Sequence, residues 1–523
     1  MKKILLTETP ASEATLLFDE HAVARHKNCF LRFHSAVKDP ANPIITTTES
    51  WEGRGPYTWG SRIIWNPDKE RYEFFYLTYD SGRGYCIGIV LSADGLSWTK
   101  PELYVNDYCG KPVKNMVKPG IGSIVRDPRP DCPADERYKS LAYTPTDSGG
   151  TKTGYSADGV HWREAAESPW AVPSDVIFTM WDHVRGKFVT YYKIWEVTGE
   201  TPDLSSATGY KPVKLYFPTF SSSAWYQEPT DGLTEITGPS VTFHPESAAT
   251  MENVKIKLKH GGYVNDGGGG SLTGAWVSKR VVCWAESDDW RQWRGERIVM
   301  AADALDRPDA NIQIMTVTRF GNYYIGLLCM HDSRGYFEQQ LAYSHDGLNW
   351  RRPWRGNFLG LGLDNAFDSA MVDNPADPVV TDTQMLFYYG GNNLCHHQSV
   401  DDPWISAIGR AVLRRDGFAS WETVPGETGV VETQLFEAAG DALMVNADAG
   451  GGKLAAELLD ESGRVIEGFE TENCAAITED TARFRKCSAA LNWKNRSFSG
   501  LTGKKITIRF ILNDAKLFSF SIV

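Results

Sequence analysis

The stretch Ser92-Ala93-Asp94-Gly95-Leu96-Ser97-Trp98 decides the fold, because the chain repeats it. It returns as Ser156-Ala157-Asp158-Gly159-Val160-His161-Trp162 and as Ser344-His345-Asp346-Gly347-Leu348-Asn349-Trp350. Two looser copies are Ser287-Asp288-Asp289-Trp290-Arg291-Gln292-Trp293 and Arg414-Arg415-Asp416-Gly417-Phe418-Ala419-Ser420-Trp421. Asp-Gly supplies the positive φ of a tight turn, and the Trp that follows packs the next strand onto its neighbour. Five copies therefore mean five hairpins at comparable places in five units.

Working outward, each phrase is preceded by an apolar strand, a turn and an aromatic-rich strand. The first unit has Arg62-Ile63-Ile64-Trp65, a turn at Asn66-Pro67-Asp68, then Arg71-Tyr72-Glu73-Phe74-Phe75-Tyr76. The fourth has Ile312 to Val317, then Asn322 to Leu327, and the fifth has Asp368 to Val372, then Gln384 to Tyr389. Four strands per unit, five times, predict an all-β five-bladed β-propeller over residues 51–425. The phrases are about 60–70 residues apart by the repeat logic, except across the third unit, which carries an insertion at 199–275. Residues 1–50 are expected to pack on the propeller. After Trp421 the composition changes, and alternating strands such as Leu443 to Ala447 and Ile506 to Leu512 predict a C-terminal β-sandwich over 426–523.

Composition narrows the function classes. The chain has 523 residues, a net charge of −12 and no sustained basic stripe, which argues against nucleic acid as a partner. No apolar run approaches a membrane span. Nine scattered cysteines without a CxxC pair suit free thiols in a reducing compartment. Met1-Lys2-Lys3 is followed by only three apolar residues, too few for a signal peptide. The expectation is a cytoplasmic protein with no metal and no cofactor, with homo-oligomerisation left open. The 18 tryptophans exceed what packing alone requires and suit the apolar faces of sugar rings.

The five units, Arg126-Asp127-Pro128 at the head of the second and the trailing sandwich resemble the furanosidase-type propeller glycoside hydrolases. Those are the fructan-cleaving (invertase and levanase type) and arabinan-cleaving enzymes. The resemblance extends to related bacterial glycosyl-hydrolase-like sequences through Asn42-Pro43, Trp51-Glu52-Gly53, Asp368-Ser369-Ala370-Met371 and Arg415-Asp416-Gly417-Phe418. It implies hydrolysis of a terminal, furanosidic sugar on a small carbohydrate.

Glycosidic cleavage needs two carboxyl groups flanking the bond. The strand starts that should converge on the axis offer Asp127, Asp175, Asp309 and Asp368, and Asp127, Asp175 and Asp368 are the catalytic candidates. The resemblance implies that Asp127 stabilises the transition state and that Asp175 stands where the relatives carry their general acid. The first unit departs from the family, with Tyr57-Thr58-Trp59-Gly60-Ser61-Arg62 and no acid where a nucleophile is expected. Trp59, Arg62, Arg126, Asp309, Gln313, His331 and His396 are the candidates for substrate binding. Two alternatives stay open at this level: a propeller lyase or sugar isomerase using histidine and a metal, and a carbohydrate-binding protein without catalysis.

Overall fold

The computed structural model describes residues 14–523 except 81–83, 109, 145–149, 166–173, 175, most of 198–277, 308–309, 333, 374, 376 and 397–404. The described chain is almost entirely β-strand, with short 3-10 turns and no α-helix. Four-strand antiparallel runs follow one another. The first comprises Tyr57–Asn66, Arg71–Asp80, Gly84–Ser92 and Met116–Pro119. The second is Ile121–Arg126, Tyr138–Thr144, Gly150–Ser156 and Trp162–Glu164. The third is Ile177–Asp182, Lys187–Val197, Ser278–Ser287 and Arg294–Met300.

An eleven-stranded sheet holds two more such runs, joined where Phe337 pairs in parallel with Met371. The fourth run is Asn311–Phe320, Tyr323–His331 and Phe337–Ser344, edged by Trp350–Arg351 and Asn357–Leu359. In the fifth, Met371–Val372 and Val379–Val380 pair with Gln384–Asn392, which pairs with Ser406–Arg414. Its outer edge is covered by Val37–Lys38 and Ile45–Thr46 from the N-terminal segment.

The Ser-x-Asp-Gly phrases make the turns the sequence predicts. In Ser92–Trp98, Asp94 Oδ1 accepts from the amides of Leu96 and Ser97, and Gly95 has φ 71°. The same carboxylate contacts recur at Asp158, Asp289 and Asp346.

Each run touches the next through buried polar bonds. Tyr138 in the second donates to Glu73 in the first at 2.6 Å. The Thr179 amide in the third donates to Ser123 in the second, at 3.0 Å. Tyr324 in the fourth donates to Asp182 in the third. Gln339 in the fourth donates to the Val372 carbonyl, 2.6 Å away in the fifth. Tyr388 in the fifth returns to the first, donating to the Gly95 carbonyl, and Ser406 donates to the Pro56 carbonyl.

Two further sheets enclose a second core around Leu443, Val445, Leu454, Ile508, Phe510 and Leu517. One contains Cys29–Phe33, Ala419–Thr423, Lys516–Ile522, Leu443–Asp448 and Ala489–Trp493; the other contains Val23–Lys27, Thr428–Thr433, Lys505–Asn513 and Lys453–Leu459. Residues 15–33 are therefore strands of these C-terminal sheets as well as a segment packed on the fourth and fifth runs. Strand edges left unpaired by 426–523 alone are satisfied from the chain's beginning. The insertion leaves from Val197 and returns at Ser278, which are register partners. Its described backbone is three hairpin strands, Tyr210–Phe217, Phe220–Gln227 and Ile236–Thr237, and a small pair, Ile256–Lys257 with Tyr263–Val264.

Candidate active site

The first strands of the runs meet at glycine. Gly60 has φ 71°, and a Cβ there would lie 2.4 Å from the Ile177 carbonyl oxygen and 3.4 Å from that of Gly122. Only a residue without a side chain lets three backbones approach so closely. Arg62, two residues further on, donates to the Thr179 carbonyl at 2.5 Å and pairs with Asp377 at 2.8 Å. Its guanidinium lies over the Phe178 ring at 4.8 Å. Arg62 thus ties the first strands together, and this tie occupies the cation that the sequence offered for substrate binding.

Beyond Gly60, toward the open ends of the hairpins, polar side chains gather in a buried layer. The Gly390 amide donates to Thr58 at 2.8 Å, and the Asp373 amide to the Gly390 carbonyl at 2.7 Å. The Asp373 side chain is fully buried. Burial pushes its carboxyl up to about 7, against Trp59 and Asn392, which favour the anion. Asn392 Nδ2 lies 3.3 Å from Oδ2, whereas Oδ1 has no hydrogen-bond partner among the described residues. A carboxyl in this state holds its proton below about pH 7 and is divided about evenly between acid and anion at neutral pH.

Two histidines, His331 and His396, also stand near Trp59. Their rings are 5.5 Å apart; His396 is 6.3 Å from the Trp59 ring and stacks on Phe337 at 5.3 Å. Arg280, fully buried, hydrogen-bonds Gln313 Oε1, and its Nη1 lies 3.2 Å from His331 Nδ1. A guanidinium has no lone pair to give, so Nδ1 accepts and the proton of the neutral imidazole sits on Nε2. The Arg280 amide donates to Asn311 Oδ1 at 2.8 Å, fixing the third run against the fourth.

The structure therefore brings together Trp59, Gln313, His331 and His396 from the sequence candidates. It places Asp127 elsewhere. Asp127 follows the last residue of strand Ile121–Arg126, at the closed end of its hairpin, where its amide donates to the Arg137 carbonyl. Gly122, level with Gly60, is five residues away, roughly 15 Å along an extended strand. Asp127 is paired with Arg129 at 2.7 Å and Lys139 at 3.0 Å, and these contacts outweigh burial and hold its carboxyl well below the usual range. Pro128 lacks an N–H, so Arg-Asp-Pro here ends a strand instead of starting one. Arg126 sits at the same end, paired with Asp68 at 2.6 Å.

Asp368 is buried against Lys38 at 2.5 Å and the Tyr389 hydroxyl at 2.8 Å. It approaches Gly391, whereas Asp373 approaches Gly390, so the two acids face opposite sides of strand Gln384–Asn392. Among the described residues, Asp127 and Asp368 share no partner. Asp175 and Asp309 lie outside the described residues. Sequence reasoning missed Asp373, Asn392 and Arg280. The fifth-unit phrase runs from Asp368 to Val372, one residue short of Asp373, which directly follows strand Met371–Val372. Arg280 follows the insertion, where the repeat spacing gives no register.

No protein-family model and no curated protein matches the chain. Solved structures do. An N-acetylgalactosamine deacetylase from F. plautii, in complex with blood group B trisaccharide, is 13% identical, covering 75% of this chain and 96% of its own, with a TM-score of 0.43. A thermostable family-43 glycoside hydrolase is 11% identical over 70% of this chain and 92% of its own, with a TM-score of 0.37. A fructofuranosidase from Schwanniomyces occidentalis, complexed with fructosylnystose, is 8% identical over 94% of this chain and 98% of its own, also at 0.37.

Proposed function

We propose that the five strand runs are the blades of a five-bladed β-propeller, with a C-terminal β-sandwich, and that the protein is a glycoside hydrolase. The unbroken series of contacts from first run to fifth and back to the first supports the propeller. The observation that carries the activity is Asp373: a buried carboxyl with a pKa of about 7 just after strand Met371–Val372, beside Trp59, Asn392 and a layer of hydrogen-bonding side chains. A general acid must hold its proton at the working pH and lose it in the transition state.

In this mechanism Asp373 donates its proton to the leaving glycosidic oxygen as the C–O bond breaks. The second carboxylate attacks the anomeric carbon or activates water. We assign that role to Asp175, from its place in the sequence just before Ile177–Asp182, the strand whose backbone meets Gly60. Trp59 offers an apolar face to the sugar ring, and Gln313, His331 and His396 bind hydroxyls. Arg280 positions Gln313 and His331. Asp127 and Asp368 serve the fold through their lysine and arginine partners. The preferred substrate is a small glycoside with a terminal furanosidic sugar.

The test is hydrolysis of 4-nitrophenyl α-L-arabinofuranoside and of short fructosyl oligosaccharides. Asp373→Asn is expected to lower kcat about 10²–10⁴-fold, with the smallest loss on the aryl glycoside, whose leaving group needs no proton. Wild-type protein that releases no sugar from either class overturns the proposal. A second reading is favoured by His331, whose tautomer is fixed by Arg280: a lyase or isomerase that moves a proton through imidazole. Activity that survives Asp373→Asn but is lost in His331→Gln selects it.

A further inference from the structure

Far from this layer, the N-terminal segment docks on the closed end of the fourth run. Leu16 and Asn322 exchange two hydrogen bonds, and the Trp421 indole donates to the Leu17 carbonyl at 2.8 Å. Gly321 has φ 51°, and a Cβ there would lie 1.8 Å from the Ala14 carbonyl oxygen, so the two backbones are in direct contact. The turn that follows brings Asp19 and His21 against His345 of the fourth Ser-x-Asp-Gly turn. That variable position is alanine in the first two copies, Ala93 and Ala157. The repeat therefore needs no histidine there.

We propose that Asp19, His21 and His345 bind a divalent transition metal of the Zn2+ type, which fastens the N-terminal segment to the fourth run. One ligand atom from each residue lies within 4.8 Å of the other two. His345 Nε2 is 3.0 Å from Asp19 Oδ2, and His21 Nδ1 is 3.5 Å from Oδ1. Two ligands that each sit about 2.1 Å from a tetrahedral ion are about 3.4 Å apart, so the observed pairs need only small shifts. His21 Nδ1 is shut off from water and has no hydrogen-bond partner among the described residues, although its ring is one-third exposed. Coordination to an ion would give that nitrogen a partner, and the exposed part of the ring leaves the cluster near solvent. Imidazole with carboxylate is a donor set for zinc, nickel or copper, and water takes the fourth position.

The surroundings fit a cation. Tyr323 donates to Asp19 Oδ1 at 2.9 Å, orienting the carboxylate as an outer partner. Arg351 approaches Oδ2 at 3.3 Å but also forks onto Glu20 at 2.8 and 2.6 Å. The pocket thus sets two carboxylates against one guanidinium. Metal binding replaces the Asp19–His345 hydrogen bond and moves the remaining proton of His345 to Nδ1.

The test titrates the metal-free full chain with Zn2+ by calorimetry and with Co2+ by its visible absorption. Expected are one ion per chain, a tetrahedral Co2+ spectrum and slower amide exchange over residues 15–23. His345→Ala, which restores the residue found in the sister turns, and His21→Ala should each weaken binding more than the ~10–100-fold that outer-shell changes cost. His161→Ala, which removes an exposed histidine elsewhere, should not. No saturable binding, or binding unchanged in the two variants while circular dichroism reports native fold, overturns the site. Binding without slower exchange overturns the fastening.

Discussion

Burial disfavours the charged form of the Asp373 carboxyl, and this couples its chemistry to stability. Its pKa is raised from 3.8 to about 7 in the folded chain. The folded state therefore holds a proton that the unfolded state releases between those values. Stability from this group is full below about pH 4 and is lost as pH rises through about 7, with a slope of at most about 1.4 kcal/mol per pH unit. Asp373→Asn should remove that slope and raise Tm above pH 7, even as it lowers kcat. Thermal melts of both proteins from pH 5 to pH 8 check this, and parallel Tm curves would contradict it. Glu52 shows the opposite solution. It is fully buried yet accepts from the Tyr76 hydroxyl at 2.5 Å, Lys100 at 2.7 Å and the Thr48 and Glu49 amides at 2.8 and 2.9 Å. Removing one partner of such a cluster leaves the others uncompensated, so Glu52→Ala should cost about 3–5 kcal/mol in denaturant unfolding.

At the scale of elements, the Ser-x-Asp-Gly turns are local solutions repeated because each run needs the same reversal. Their side-chain-to-amide bonds form within six residues and are legible without a structure. The interface between runs is less local. Tyr191 of the third run donates to the Gly347 carbonyl in the fourth run's turn at 2.9 Å, as Tyr388 of the fifth does to Gly95 in the first. The second strands of the third and fifth runs thus anchor on a neighbour's turn. Tyr191→Phe leaves the Gly347 carbonyl without this donor while preserving packing, and should cost about 1–3 kcal/mol, measurable as a shifted urea midpoint with unchanged slope. Removing the hydroxyl from a tyrosine with no such partner would not.

At the scale of the whole molecule, the N-terminal segment serves two bodies. It edges the fifth run with Val37–Lys38 and Ile45–Thr46 and supplies Val23–Lys27 and Cys29–Phe33 to the C-terminal sheets. Deleting residues 1–33 should strip Leu17, Ala22 and Val23 from the second core and leave two sheet edges open. The expected outcome is dye-accessible hydrophobic surface and concentration-dependent association, read by fluorescence and light scattering. A monomer of unchanged Tm would show that the segment is dispensable. No helix among the described residues is long and apolar enough to cross a membrane, and every cysteine among them is free.

Sequence alone determined the repeat and its turn chemistry, because Asp-Gly turns and strand alternation depend on neighbours a few residues apart. It also offered Trp59, Gln313, His331 and His396, which the structure brings near one another. The choice of Asp373 as the proposed proton donor rests on tertiary structure alone. Asp127, Asp368 and Asp373 are all buried aspartates near strand termini, and although Arg129 stands two residues from Asp127, nothing beside Asp368 or Asp373 in the sequence says which of them is paired with a cation. That distinction lies largely in residues distant along the chain: Lys139 for Asp127, Lys38 for Asp368, and Trp59 and Asn392 for Asp373. A carboxyl's charge is set by the dielectric and partners that folding assembles around it, and these are properties of the assembled molecule.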